Sequence, residues 1–140
     1  MFAAYRFFGY GANFISQCLY AGSGAMNVKP DNGWFYYSMN RRSPAWTGVP
    51  FLYNFLVRNK GAGPYGHVIP AEEVQQGDLV QLKFAGKTDF GHTLLVVSVG
   101  QPADPSNILV AAHTNDADNR PLNTYSYIET RGIHIDGTRR

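Results

Sequence analysis

The 140-residue chain reads as an α+β fold, with helical signals first and consecutive strand signals after. Three observations carry this. A helix opens at Asn13 and meets glycines at Gly22 and Gly24. A second apolar face with helical spacing follows Thr47. After Gly77 the pattern changes to short β-rich runs separated by turn residues. Such an order predicts N-terminal helices packed on one face of an antiparallel sheet.

In chain order, residues 13–20 are expected to form the first helix, ended by Gly22 and Gly24. Residues 28–44 read as loop: Pro30, Asp31, Asn32 and Gly33 supply turn chemistry, and the aromatics 34–37 supply anchors. Thr47 is the expected N-cap of a second helix, with Pro50 tolerated in its first turn. Val49, Leu52, Tyr53 and Leu56 fall at i, i+3, i+4 and i+7, one buried face, and Gly61 and Gly63 close the helix. Residues 70–74 form a short helical turn leading into Gly77. Strands are expected over 78–84, 92–99, 108–114 and 132–135.

Composition bounds the function. Apolar residues at 44% and aromatics at 14% describe a single folded domain over residues 1–140 with enough core to offset its ordering entropy. A net charge of +2 and only two adjacent basic pairs, 41–42 and 139–140, argue against a nucleic-acid partner. No apolar run approaches the ~20 residues needed to span a bilayer. The stretch 1–14 is apolar, but Arg6 lies in its middle and Ser16 and Gln17 interrupt it, so it reads as a structural segment rather than a cleaved signal. One cysteine forms no internal disulfide, and the four histidines show no zinc-ligand spacing, so neither metal nor cofactor is expected.

The chemistry-bearing residues fit one pattern. Cysteine hydrolysis needs a thiolate, a base and a group that orients the base. A helix N-terminus stabilises the thiolate and offers N–H donors to the oxyanion. His92 heads a strand directly after Gly91 and is the expected base. His113, at the end of the next strand, is the expected orienting residue, with Asn115 and Asp116 as competitors. Ala12 and Asn13 stand at the start of the first helix, where such donors lie. Cys18 lies seven residues further along the helix, ~10 Å at about 1.5 Å per residue, and reads as a small core hydrophobe. His67 and His134 read as structural or surface residues.

Six blocks in order carry a resemblance: residues 13–22, 34–37, 43–49, 76–80, 91–93 and 112–116. Together they resemble the putative amidase domain family, a bacterial branch of the NlpC/P60- and CHAP-like, papain-like cysteine hydrolases, over nearly the whole chain. The resemblance implies a papain-like α+β domain that hydrolyses an amide, in peptide or cell-wall peptide, in a secreted or cell-envelope setting. Family members usually carry Asp-Cys-Thr before the Asn-Phe pair; this chain has Tyr10-Gly11-Ala12. The chain as written is therefore expected to be an inactive hydrolase domain. The competing expectation is a non-catalytic module binding peptide or glycan, with Trp34, Tyr36 and Trp46 as substrate-stacking surfaces. A protein-interaction domain is the third reading.

Overall fold

The computed structural model describes residues 12–112 and 118–140. Helix α1 spans Asn13–Ser23 and ends only when Gly24 takes the left-handed conformation at φ 68°, its N–H bonding the Tyr20 carbonyl at 2.8 Å. Gly22 sits inside the helix rather than stopping it, because ending a helix this way requires a residue with positive φ, and Gly24 is that residue.

The 28–44 stretch is not all loop. β1 (Tyr36–Ser38) and β2 (Arg41–Arg42) pair antiparallel, with the Arg41 guanidinium 5.1 Å from the centre of the Tyr37 ring. Thr47 does not cap the second helix. Two helices occupy this region, α2 (Pro44–Thr47) and α3 (Val49–Arg58), separated at the extended residue Gly48, and each has its proline in the first turn. The Thr47 hydroxyl instead accepts from Arg42 Nη1 at 2.8 Å. α3 buries Val49, Leu52, Phe55 and Leu56, so Phe55 takes the core place expected of Tyr53, which is half-buried. Gly63 begins a strand that the sequence did not reveal, β3 (Gly63–Ile69).

A 3₁₀ turn at Ala71–Glu73 leads into β4 (Leu79–Phe84), β5 (His92–Val99) and β6 (Ile108–Ala111). The expected strand over 108–114 thus ends at Ala111, and its residues 113 and 114 lie outside the described residues. β7 (Arg120–Pro121) was not expected, and β8 (Tyr127–Arg139) runs for 13 residues where four were expected. Gly132 hides β8 from propensity, yet a Cβ there would lie 2.8 Å from Val74 Cγ1 and 3.0 Å from the Ile69 carbonyl. The glycine admits a close approach. The other six strands form an antiparallel sheet in the order β3-β8-β4-β5-β6-β7.

The chain divides into two units, one running to His67 and taking in Asp136–Arg140, the other Val68–Ile135. In the first, Trp34 and Trp46 meet at 4.7 Å between ring centres, and Trp34 stacks on Phe55 at 5.8 Å. In the second, Val80 and Leu82 of β4 and Leu94 and Val96 of β5 share one sheet face and pack with Val74, Ile108, Val110 and Leu122. On the opposite face Leu79, Gln81, Thr93 and Ile133 are buried as well.

Candidate functional site

At the start of α1, Ala12 is buried and holds the N-cap position without a side-chain cap. Its N–H bonds the Thr47 carbonyl at 3.1 Å, and its own carbonyl accepts from Ser16 N at 2.9 Å. Ala12 is therefore not available as an oxyanion donor, a correction to the sequence expectation. Asn13 differs. Its Oδ1 accepts from Trp46 Nε1 at 3.1 Å, and because an indole nitrogen only donates, the amide orientation is settled. Its Nδ2 is buried with no partner among the described residues, and so is Gln17 Nε2 one turn further on. Gly11 lies outside the described residues.

The two tryptophans correct another expectation. Trp34 and Trp46 have no exposed surface. Ser16 Oγ donates to the Trp46 carbonyl at 2.8 Å and accepts from Trp34 Nε1 at 3.0 Å, so the indoles are hydrogen-bonded core groups rather than stacking platforms. Tyr36 is half-buried, its ring 6.0 Å from that of Trp46, and is the member of this trio with surface left to offer.

In the second unit, His92 opens β5 opposite Leu82, on the sheet face of the apolar cluster. The Phe84 ring meets the imidazole edge-to-face at 5.0 Å and 89°. His92 keeps a solvent-exposed side, but this packing desolvates the cation and lowers its pKa below the ordinary 6.5. Among the described residues no group hydrogen-bonds its ring nitrogens. His113, Asn115 and Asp116, the three expected orienting residues, lie outside the described residues.

The sign of the pH effect follows. With the folded pKa below ~6.5, the unfolded chain binds the extra proton, so stability from His92 is present above that value and is lost as pH falls through the folded one. A proton NMR titration should place the His92 midpoint below that of an unfolded histidine peptide. A midpoint at or above 6.5 would contradict the desolvation.

Behind His92 the loop is braced by side chains that sequence reasoning missed. Arg131 lies over the Phe90 ring at 4.0 Å and donates Nε to Gln81 Oε1 at 2.8 Å, while Gln81 Nε2 donates to Thr93 Oγ1 at 3.1 Å. The register predicts this set, since Gln81 pairs with both Thr93 and Arg131, but only once β8 is recognised as a strand. His134, read from sequence as structural or surface, bonds the buried Asp78 carboxylate through Nδ1 at 2.9 Å. Asp78 also accepts from the Gln75 and Ile135 amides at 2.8 and 3.3 Å, so the pair ties the turn before β4 to β8. His67 is an exposed residue with Nδ1 2.8 Å from Asp136 Oδ2.

Cys18 is half-buried and desolvation raises its pKa, which keeps it a thiol at neutral pH. Among the described residues no group of three or more His, Cys, Asp or Glu side chains is gathered to hold a metal ion. No described helix is long and apolar enough to cross a membrane.

Residues 4–135 match the family model described as "Putative amidase domain". The chain is 35% identical over 107 residues to the Bacillus subtilis (strain 168) protein named "Uncharacterized protein YhbB". That match covers 75% of this chain and 33% of the relative, so the chain spans about a third of the relative's length. No solved structure matches.

Proposed function

We infer the function from one premise, that this chain belongs to the putative amidase domain family. On that basis it is an amidase- or peptidase-like domain of the NlpC/P60- and CHAP-like kind, with papain-like architecture, directed at amide bonds of peptide in the bacterial cell envelope. The place of its nucleophile is held by Gly11, so the chain as written is inactive. The observation that supports this reading best is His92, a strand-heading imidazole with a lowered pKa whose ring nitrogens have no hydrogen-bond partner among the described residues. A histidine neutral at pH 7 can accept a thiol proton.

The chemistry assigned to the family's site is acyl transfer. His92 takes the proton from a thiol at position 11, and the thiolate attacks the carbonyl carbon of the amide. Oxygen then carries the negative charge, and the Asn13 side-chain amide, buried and with no acceptor among the described residues, is the donor proposed for it. His92 returns its proton to the leaving amine, and water releases the acyl group through the same base. One of His113, Asn115 and Asp116 orients the imidazole.

The absent side chain at Gly11 favours a second reading, a peptide-binding module that keeps the recognition surface without turnover. The enclosed indoles weaken the glycan-stacking form of that idea. The Gly11→Cys variant separates the readings when incubated with cell-wall peptide fragments. Turnover that disappears on adding His92→Ala supports the amidase assignment. Binding without turnover, by a variant whose new thiol is reactive, leaves the module.

A further inference from the structure

A pocket of about 390 Å³ opens in the first unit, and none of the described residues assigned above to catalysis lines it. Pro44, Ala45, Phe51 and Phe55 give it an apolar floor, and Phe51 is left 56% exposed. An exposed phenylalanine beside a concavity is available to a ligand.

Its walls are held by a network of short-range hydrogen bonds. Asn59 is committed at both ends of its amide: Nδ2 donates to the Ala62 and Pro64 carbonyls at 3.0 Å each, and Oδ1 accepts from Gly61 N at 2.9 Å. Arg139 Nη1 fixes the Asn59 carbonyl at 3.0 Å. Beside Asn59, the Asn27 carboxamide donates to the Ala62 carbonyl at 3.1 Å and to Asn59 Oδ1 at 3.4 Å, and accepts from Lys29 N at 3.2 Å. Such a frame spares a ligand much of the ordering cost of binding.

The rim is charged and unbalanced. Lys29, Arg58 and Lys60 line it against the lone carboxylate of Asp31, and among the described residues none of the three cations is in an ion pair. Arg58 stands in the last turn of α3, where a cation also suits the helix dipole. The dipole accounts for one charge at that helix end; it does not account for Lys29, which reaches the same rim from a different segment. Three cations over a concave apolar surface focus a positive potential on whatever enters.

We propose that this pocket binds a peptide segment carrying carboxylates, with Arg58, Lys60 and Lys29 holding the acidic groups and Phe51 and Phe55 an apolar side chain. The Asn32 and Asn54 amides, also on the lining, suit the peptide bonds between. The proposal does not depend on the amidase reading, because the pocket would bind with or without a nucleophile at position 11.

Calorimetric titration of the intact chain with N-acetyl-Phe-Glu-Glu, and with its neutral counterpart N-acetyl-Phe-Gln-Gln-amide, tests it. Saturable one-to-one binding of the acidic peptide is expected, with the neutral one weaker by about ten-fold or more. Arg58→Gln with Lys60→Gln should weaken the acidic peptide by a similar factor, leave the far-ultraviolet dichroism unchanged and flatten the salt dependence. Absent binding, equal binding of both peptides, or affinity unmoved by the double substitution would each overturn the proposal. Inorganic phosphate displacing the acidic peptide as effectively as the free peptide does would also overturn it, in favour of a phosphate site.

Discussion

Replacing Trp46 with alanine is expected to remove about 3–5 kcal/mol of stability, a large share of the ~5–15 kcal/mol that holds a domain folded. Trp46 has no exposed surface, and its ring contacts those of Trp34, Tyr20 and Tyr36. The substitution leaves a cavity at the junction of α1, α2 and the Trp34 segment. It also removes the donor to Asn13 Oδ1, so the Asn13 amide would lose the one bond that orients it among the described residues. The melting temperature should fall by roughly 10–20 °C. Trp46→Phe should cost less, since most of the ring volume remains and only the N–H is lost. Tyr36→Ala, at a half-buried ring, should cost less than ~1.5 kcal/mol. A loss below about 1 kcal/mol for Trp46→Ala would show that the indole is not the enclosed core group described above.

Gly33→Ala is expected to cost about 3 kcal/mol or more, well outside the usual range for one added methyl group. A Cβ at Gly33 would stand 2.3 Å from the Asn27 carbonyl oxygen, 2.4 Å from that of Lys29 and 2.8 Å from Lys29 N. All three are backbone atoms, so no side chain can swing aside. The turn would have to open, breaking the Gly33 N to Lys29 carbonyl bond at 3.0 Å and straining the Asn27–Trp34 pair at 2.9 and 2.7 Å. Gly22 supplies the contrast. It is helical, nothing lies within 4 Å of its would-be Cβ, and Gly22→Ala should stabilise by about 0.5–1 kcal/mol. Thermal denaturation of both variants checks the pair, and equal effects would contradict the packing described for Gly33.

The elements legible in the sequence were those whose local signal and tertiary role agree. α1, β4 and β5 stand close to where periodicity and turn residues put them, because their apolar spacing matches the faces they bury. β8 shows only four residues of local strand signal because Gly132 and Gly137 interrupt its propensity; what makes it a strand is its pairing with β4, as in Gln81 with Arg131, far apart in the chain. Gly63 misled in the same way, reading as a helix stop while opening β3 at φ 98°. Thr47 carried the right chemistry for a cap, but Ser43 and Pro44 had already started a helix upstream.

The site was legible in part. The place of His92 at the head of β5 was legible because a strand-heading histidine after glycine leaves a local trace, whereas the burial of Ala12, Trp34 and Trp46 is a tertiary property. The rim cations of the pocket left little signal. Arg58 and Lys60 look like ordinary solvated residues after a helix, and only the fold brings Lys29 to the same rim.

The function proposed above requires that position 11 and His92 act in one thiol-hydrolase reaction. The most direct measurement is the iodoacetamide alkylation rate of the Gly11→Cys variant against pH, with and without His92→Asn. Peptide mapping separates the thiol introduced at position 11 from Cys18. Cys18 should label slowly until the protein is unfolded, since burial raises its pKa. An introduced thiol that labels rapidly near neutral pH, and slows on loss of the imidazole, is the result predicted. An introduced thiol no more reactive than a free one of pKa ~8.5, in a folded protein and indifferent to His92, would contradict the assignment.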